Sequence, residues 1–115
     1  MPRAKSISAR RHRKVLKQVK GYRHAARRRI AAAKEAVLHA GQYAYHGRKL
    51  RKRDMRKLWI IRLNAAAREN ELSYSKLMKG LKDANIEMNR KMLSEIAVND
   101  PEAFKAIINT AFSSK

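Results

Sequence analysis

Apolar positions recur with a helical rhythm through most of this chain, and no clean alternation of apolar and polar residues marks a strand. The clearest case is the last segment. Phe104, Ile107, Ile108 and Ala111 stand at i, i+3, i+4 and i+7, which makes one apolar stripe. Asp100 before Pro101 starts that helix: a side-chain oxygen for the free amides, then a residue that needs no amide partner. Upstream, Ser73 is placed to cap "YSKLMKGLKDA", with Leu77, Leu81 and Ala84 on one side. Asn85 or Asn89 opens "RKMLSEIAV", with Met92, Leu93 and Ile96 expected to point inward. Together with Leu58 to Ala67, these helices can close a small all-α core. About 58 residues is near the lower limit for such a core, so modest stability is expected.

The first half has a different texture. Ser6 or Ser8 can cap a helix reaching about Lys20, and Gly21 ends it. A second helix is expected from Ala25, because "AARRRIAAAKEAVLHA" consists largely of strong helix formers. Between Gly41 and Gly47 the stretch "GQYAYHG" is expected to bring a kink or short interruption. "GRKLRKRDMRKLWIIRLNAAAR" follows, helical to about Glu69. It is nearly solid charge up to Lys57 and nearly solid hydrocarbon from Leu58. The expected fold is all-α: a long basic helical N-terminal extension over 1–57, kinked near Gly21 and Gly41–Gly47, then a small helical globular domain over 58–115.

Charge sharpens this division. The 115 residues carry a formal net charge of +20. Met1 to Ile60 holds 20 Lys/Arg against two acids, Glu35 and Asp54, a net of +18; the remainder nets only +2. Such asymmetry points to a polyanion, nucleic acid first and an anionic membrane second. There is no cysteine, which excludes disulfides and thiolate metal sites and fits a reducing compartment. No apolar run approaches the roughly 20 residues that span a bilayer. "MPRAKSISARRHRK" has no apolar segment after its charges, unlike a secretory signal; it is Arg-rich and acid-poor like an organelle transit peptide, but a cytoplasmic protein needing no address is the simpler expectation.

Helical angle separates two kinds of basic surface. Arg10, Arg11, Arg13, Lys14, Lys17 and Lys20 fall within about half the circumference, opposite Val15, Leu16 and Val19. That one-sided helix suits a phosphate backbone, a membrane surface or a partner protein. Arg48, Lys49, Arg51, Lys52, Arg53, Arg56 and Lys57 instead spread over most of the circumference. Asp54 offsets little of this, through Arg51 and Lys57 three residues away. The bland alternative is a solvated helix. A membrane or one groove edge of DNA offers anions on one side only, whereas folded RNA can surround a helix. Arg3, Lys5, Arg23, His24, Arg27, Arg28, Arg29 and Lys34 extend the candidate RNA-binding set. Tyr22, Tyr43 and Tyr45 join it as residues that can stack on bases or bond phosphates, set against simple packing. The alanines between Ala25 and Ala40 would let a backbone approach closely, besides raising helix propensity.

Catalytic chemistry is not legible. His39 and His46 lie seven residues apart, about 10 Å along a helix, too far to share a metal. No carboxylate pair, nucleophile with a nearby base, or Gly-rich phosphate loop appears. The expectation is a protein that is no enzyme and uses no cofactor, metal, membrane or small-molecule substrate.

"YAYHGRKLRKRDMRKLWIIRLNAAARENELSYSKLMKGL" closely resembles the signature region of the bacterial-type large-subunit ribosomal protein family numbered twenty. The likeness continues through "RRHRKVLKQVKGYRHAARRRIAAAKEAV" and "IEMNRKMLSEIAVNDPEAF", and so covers nearly the whole chain. One departure is Glu71, where members often have Gly. The resemblance implies direct binding of large-subunit (23S-type) ribosomal RNA, a role in early subunit assembly, and contact with neighbouring large-subunit proteins. It also implies that the N-terminal helical extension is threaded through RNA. Some members repress translation of their own operon by binding its messenger RNA.

Overall fold

The computed structural model describes residues 6–113, and among these there are five α-helices, one 3₁₀ turn and no strand. Arg3 and Lys5 of the expected set lie outside the described residues. The chain divides into two compact units between Lys49 and Leu50.

In the first unit, α1 spans Ile7–Gln18. Ser6 is its cap, the Oγ accepting the Ala9 amide at 3.2 Å, so Ser6 rather than Ser8 starts the helix. Gly21 follows at φ 93°, a conformation that costs glycine nothing, and the chain turns there. A 3₁₀ turn covers His24–Arg27, and α2 starts at Ile30, not at Ala25. A helix starting at Ala25 would place Arg27, Arg28 and Arg29 in or beside its positive first turn, whereas a start at Ile30 keeps them ahead of it. The chain therefore spends that segment in the tight turn. Val19 and Ala33 are fully buried in this unit.

α2 runs Ile30–Glu69 without a break, so the short interruption expected between Gly41 and Gly47 is absent. Two glycines cost a helix roughly 1 kcal/mol each. That is too little to halt forty residues otherwise rich in Ala, Leu, Arg and Lys.

The second unit contains the rest of α2, then α3 (Tyr74–Asp83), α4 (Arg90–Asn99) and α5 (Pro101–Ser113). α5 packs against both α3 and α4. The core is Leu63, Ala67, Leu77, Leu81, Leu93, Phe104, Ile108 and Ala111. Caps fall at Ser73, Asn89 and Asp100, whose side chains accept the amides of Lys76 (3.4 Å), Met92 (2.9 Å) and Ala103 (3.0 Å). Asn89, not Asn85, therefore opens α4. On α4 Leu93 is buried and Ile96 half-buried as expected, but Met92 faces outward at 49% exposure and Ser94 takes the buried place. The Ser94 hydroxyl donates to the Lys91 carbonyl at 2.9 Å, which satisfies it there. Gly80 is buried under Phe112: a Cβ at that position would meet the ring Cζ at 2.6 Å.

Two helix ends share one device. After α2, Glu71 adopts φ 59°, the Leu72 amide bonds Ala67 O at 2.9 Å and the Glu71 amide bonds Arg68 O at 3.0 Å. After α3, Asn85 at φ 52° does the same, with Ile86 bonding Leu81 O at 2.9 Å. This closure prefers Gly and tolerates Asn, so Glu71 is the strained member. Glu71→Gly is expected to stabilise the second unit by about 1 kcal/mol. A thermal melt checks this, and an unchanged or lower midpoint would contradict it.

Expected burial from Leu58 onward needs correction. Leu58 is 37% and Ile61 66% exposed, Trp59 and Ile60 are half-buried, and full burial starts at Leu63. A helix packed against neighbours on one side can bury only that side. The apolar run is therefore wider than the core that receives it.

Candidate nucleic-acid interface

α1 presents its cations outward. Arg10, Arg11, Arg13, Lys14 and Lys17 are exposed while Val15 and Leu16 are half-buried, the two-sided arrangement that helical angle requires. Lys20 is exposed in the turn that follows. Tyr22 is 37% exposed. Arg23 is extended, and His24, at φ 58°, redirects the chain so that His24, Arg27, Arg28 and Arg29 line one hollow. A second hollow gathers Ile7, Ser8, Arg11, His12 and Val15 of α1 with Lys34 of α2. The two hollows bring together His24, Arg27, Arg28 and Arg29, and Arg11 with Lys34, from the predicted set; Lys20, Tyr22 and Arg23 lie in the turn between helices, and the other described members lie along α1 and α2.

On α2 every residue from Leu38 to Leu58 is exposed. That is about six turns, or roughly 30 Å, of residues that are all exposed among the described ones. Arg48, Lys49, Arg51, Lys52, Arg53, Arg56 and Lys57 all lie here. Tyr43 (74%) and Tyr45 (54%) stand clear of the helix, as does Leu38 at 75%. Simple packing therefore does not account for either tyrosine. Local contacts between exposed side chains organise this stretch. His39 stacks on Tyr43 with ring centroids 6.5 Å apart, and Lys49 Nζ lies 4.5 Å from the Tyr45 ring centre. The one ion pair within 4 Å among the described residues is His39 Nε2 with Glu35 Oε1 at 3.8 Å, between exposed side chains. Asp54 makes none, although Arg51 and Lys57 are three residues away.

The chemistry on offer is a dense array of exposed Lys and Arg side chains, none in an ion pair within 4 Å among the described residues, with a few exposed rings. Such a surface can neutralise phosphates and stack on bases. No group of three or more His, Asp or Glu side chains suited to a metal occurs among the described residues. Nor, among them, is any helix long and apolar enough to cross a membrane. Arg62 and Arg68 also stand exposed on α2, beyond the predicted set. The available signal was angular: both point away from Leu63 and Ala67, which the core claims.

The family described as Ribosomal protein L20 matches residues 3–107. The large ribosomal subunit protein bL20 of Lacticaseibacillus casei (strain BL23) is 53% identical over 113 residues, covering 96% of each chain. That of Pelotomaculum thermopropionicum is 54% identical over 113 residues, 96% of this chain and 97% of its own. That of Clostridium botulinum (strain Hall) is 57% identical over 101 residues, 88% of this chain and 85% of its own.

Proposed function

The chain belongs to the ribosomal protein L20 family, a family of large-subunit ribosomal proteins, and from that premise we propose that it binds large-subunit ribosomal RNA directly and promotes early assembly of the subunit. Residues 1–57 act as the RNA-embedded extension, and 58–115 form the small globular domain. The observation that carries this reading is the run from Leu38 to Leu58, exposed on all sides and charged over most of its circumference. A stretch exposed on every side among the described residues, with seven cations against one carboxylate, is best stabilised by anions on several sides. Arg and Lys neutralise phosphates that RNA folding crowds together, and specificity comes from RNA shape more than from base edges. Neighbouring large-subunit proteins complete the partner set. A messenger RNA of similar shape would meet the same surface, which is how repression of the protein's own operon would work.

Footprinting of the purified protein on large-subunit ribosomal RNA is expected to protect a defined segment. Excess duplex DNA should fail to displace it. Equal affinity for a scrambled RNA of the same length, or ready displacement by DNA, would count against the reading.

A further inference from the structure

The exposed side of α2 within the second unit has its own pattern. Leu50, Asp54, Leu58, Ile61 and Ala65 follow at i, i+4, i+8, i+11 and i+15. They occupy a strip about 80° wide, opposite the face that Leu63 and Ala67 bury. All five are exposed, Ile61 at 66% and Leu50 at 50%. Cations border the strip on both edges: Arg53 and Lys57 on one, Arg51 and Arg62 on the other, all exposed. In its middle sits Asp54, the sole carboxylate between Glu35 and Glu69. Among the described residues it has no hydrogen-bond or ion-pair partner.

We propose that this strip lies on the sugar and base-edge side of an RNA helix, with the Asp54 carboxylate accepting hydrogen bonds from ribose 2′-hydroxyls or exocyclic amino groups. The inference rests on the RNA-binding reading above and says which face of α2 meets which part of the RNA. A carboxylate only accepts, and so does a phosphate, so Asp54 cannot usefully face the backbone. The wide, shallow minor groove of A-form RNA offers donors in its floor and a phosphate strand along each side. Charge complementarity matches this outline: an apolar strip with a central acceptor, flanked by two rows of cations. Leu58 and Ile61 then rest on ribose faces while the flanking cations reach the two strands. A protein occupant would have to supply donors for Asp54 and acids for both rows.

Asp54 also makes the test directional. If it merely sits among phosphates, its removal deletes a repulsion and tightens binding. If it accepts from RNA donors, its removal weakens binding. Filter binding to the footprinted RNA segment is measured for the full chain and for Asp54→Ala and Asp54→Asn, with circular dichroism confirming equal helicity. Asp54→Ala is expected to bind about tenfold more weakly, and Asp54→Asn, which keeps an acceptor oxygen, to stay within about threefold of the unaltered chain. The loss on Asp54→Ala should shrink when 2′-deoxy or amino-lacking nucleotides replace the protected ones. Binding by Asp54→Ala as tight as, or tighter than, the unaltered chain overturns the proposal. So does a loss equal in Asn and Ala, which would require the charge and not the acceptor. A defect seen only in whole subunits, with naked RNA bound normally, would put a protein on the strip and also overturn it. The unaltered chain's preference for the segment over scrambled RNA is read in parallel. If that preference is missing, the RNA-binding reading itself fails; if it holds, these outcomes bear on Asp54 alone.

Discussion

Raising monovalent salt from 50 to 200 mM is expected to weaken the complex with large-subunit ribosomal RNA by about 10³- to 10⁵-fold. Every cation of the predicted set that lies within the described residues is exposed, and none of them makes an ion pair within 4 Å. Each is therefore free to displace a counterion from RNA. If about 6–10 of them do so, the logarithm of the binding constant falls steeply and linearly with the logarithm of salt. Titrations at four or five salt concentrations give the slope directly. A slope corresponding to one or two phosphates would mean that most of these side chains stay in solvent, and the embedded-helix reading would fail. Replacing Arg51, Arg53 and Arg56 together by Gln should flatten the slope by about three contacts while leaving the second unit folded, since none of the three is buried.

The same exposure explains why local rules read some of this chain well and other parts poorly. Caps were legible because they depend on one side chain and the next three amides: Ser73 and Asp100 stand where their residue types direct, and Ser6 and Asn89 are each one of two candidates that the sequence offers. The α5 stripe was legible because its period matches the one face that a neighbouring helix covers. The start of α2 was harder. Propensity favours helix from Ala25, but three arginines in or beside the positive first turn disfavour it, and propensity scales omit that repulsion. The stretch between Gly41 and Gly47 invites a kink or short interruption because glycine weakens a helix; the interruption does not occur, since a long helix absorbs two such weak points. Leu58 and Ile61 misled for another reason. Hydrophobicity reports what a residue gains from burial and not whether neighbours suffice to bury it. With three short helices to pack against, the core covers one side of α2. The left-handed turn at Glu71 carries no sequence signal of its own; only the family's habit of placing Gly there hints at it. Asp54 looked like a minor counter-charge within α2, and only the missing ion pairs made it a candidate ligand for something outside the protein.

Leu63→Ala is expected to destabilise the second unit by about 3–5 kcal/mol, while Ile61→Ala should change it by no more than about 0.5 kcal/mol. The two positions lie two residues apart on one helix and are both large and apolar, so sequence pattern alone would rank them together. In the structure they differ as far as two such residues can. Leu63 is fully buried in the cluster with Leu77, Leu93 and Phe104, and Ile61 is 66% exposed on the opposite side. Truncating Leu63 removes buried hydrocarbon and leaves a cavity. Its neighbours cannot readily fill that space, because α3, α4 and α5 are already closed around Phe104 and Ile108. A core this small has little stability in reserve, so the loss should leave much of the unit unfolded near 37 °C. Amide hydrogen exchange at Leu93 and Phe104 reports this cleanly, whereas total helicity would be dominated by α2. Protection there should collapse with Leu63→Ala and persist with Ile61→Ala. Comparable losses from both would mean that the Leu58–Ile61 surface is packed in solution. The apolar strip proposed to meet RNA would then not be free to do so.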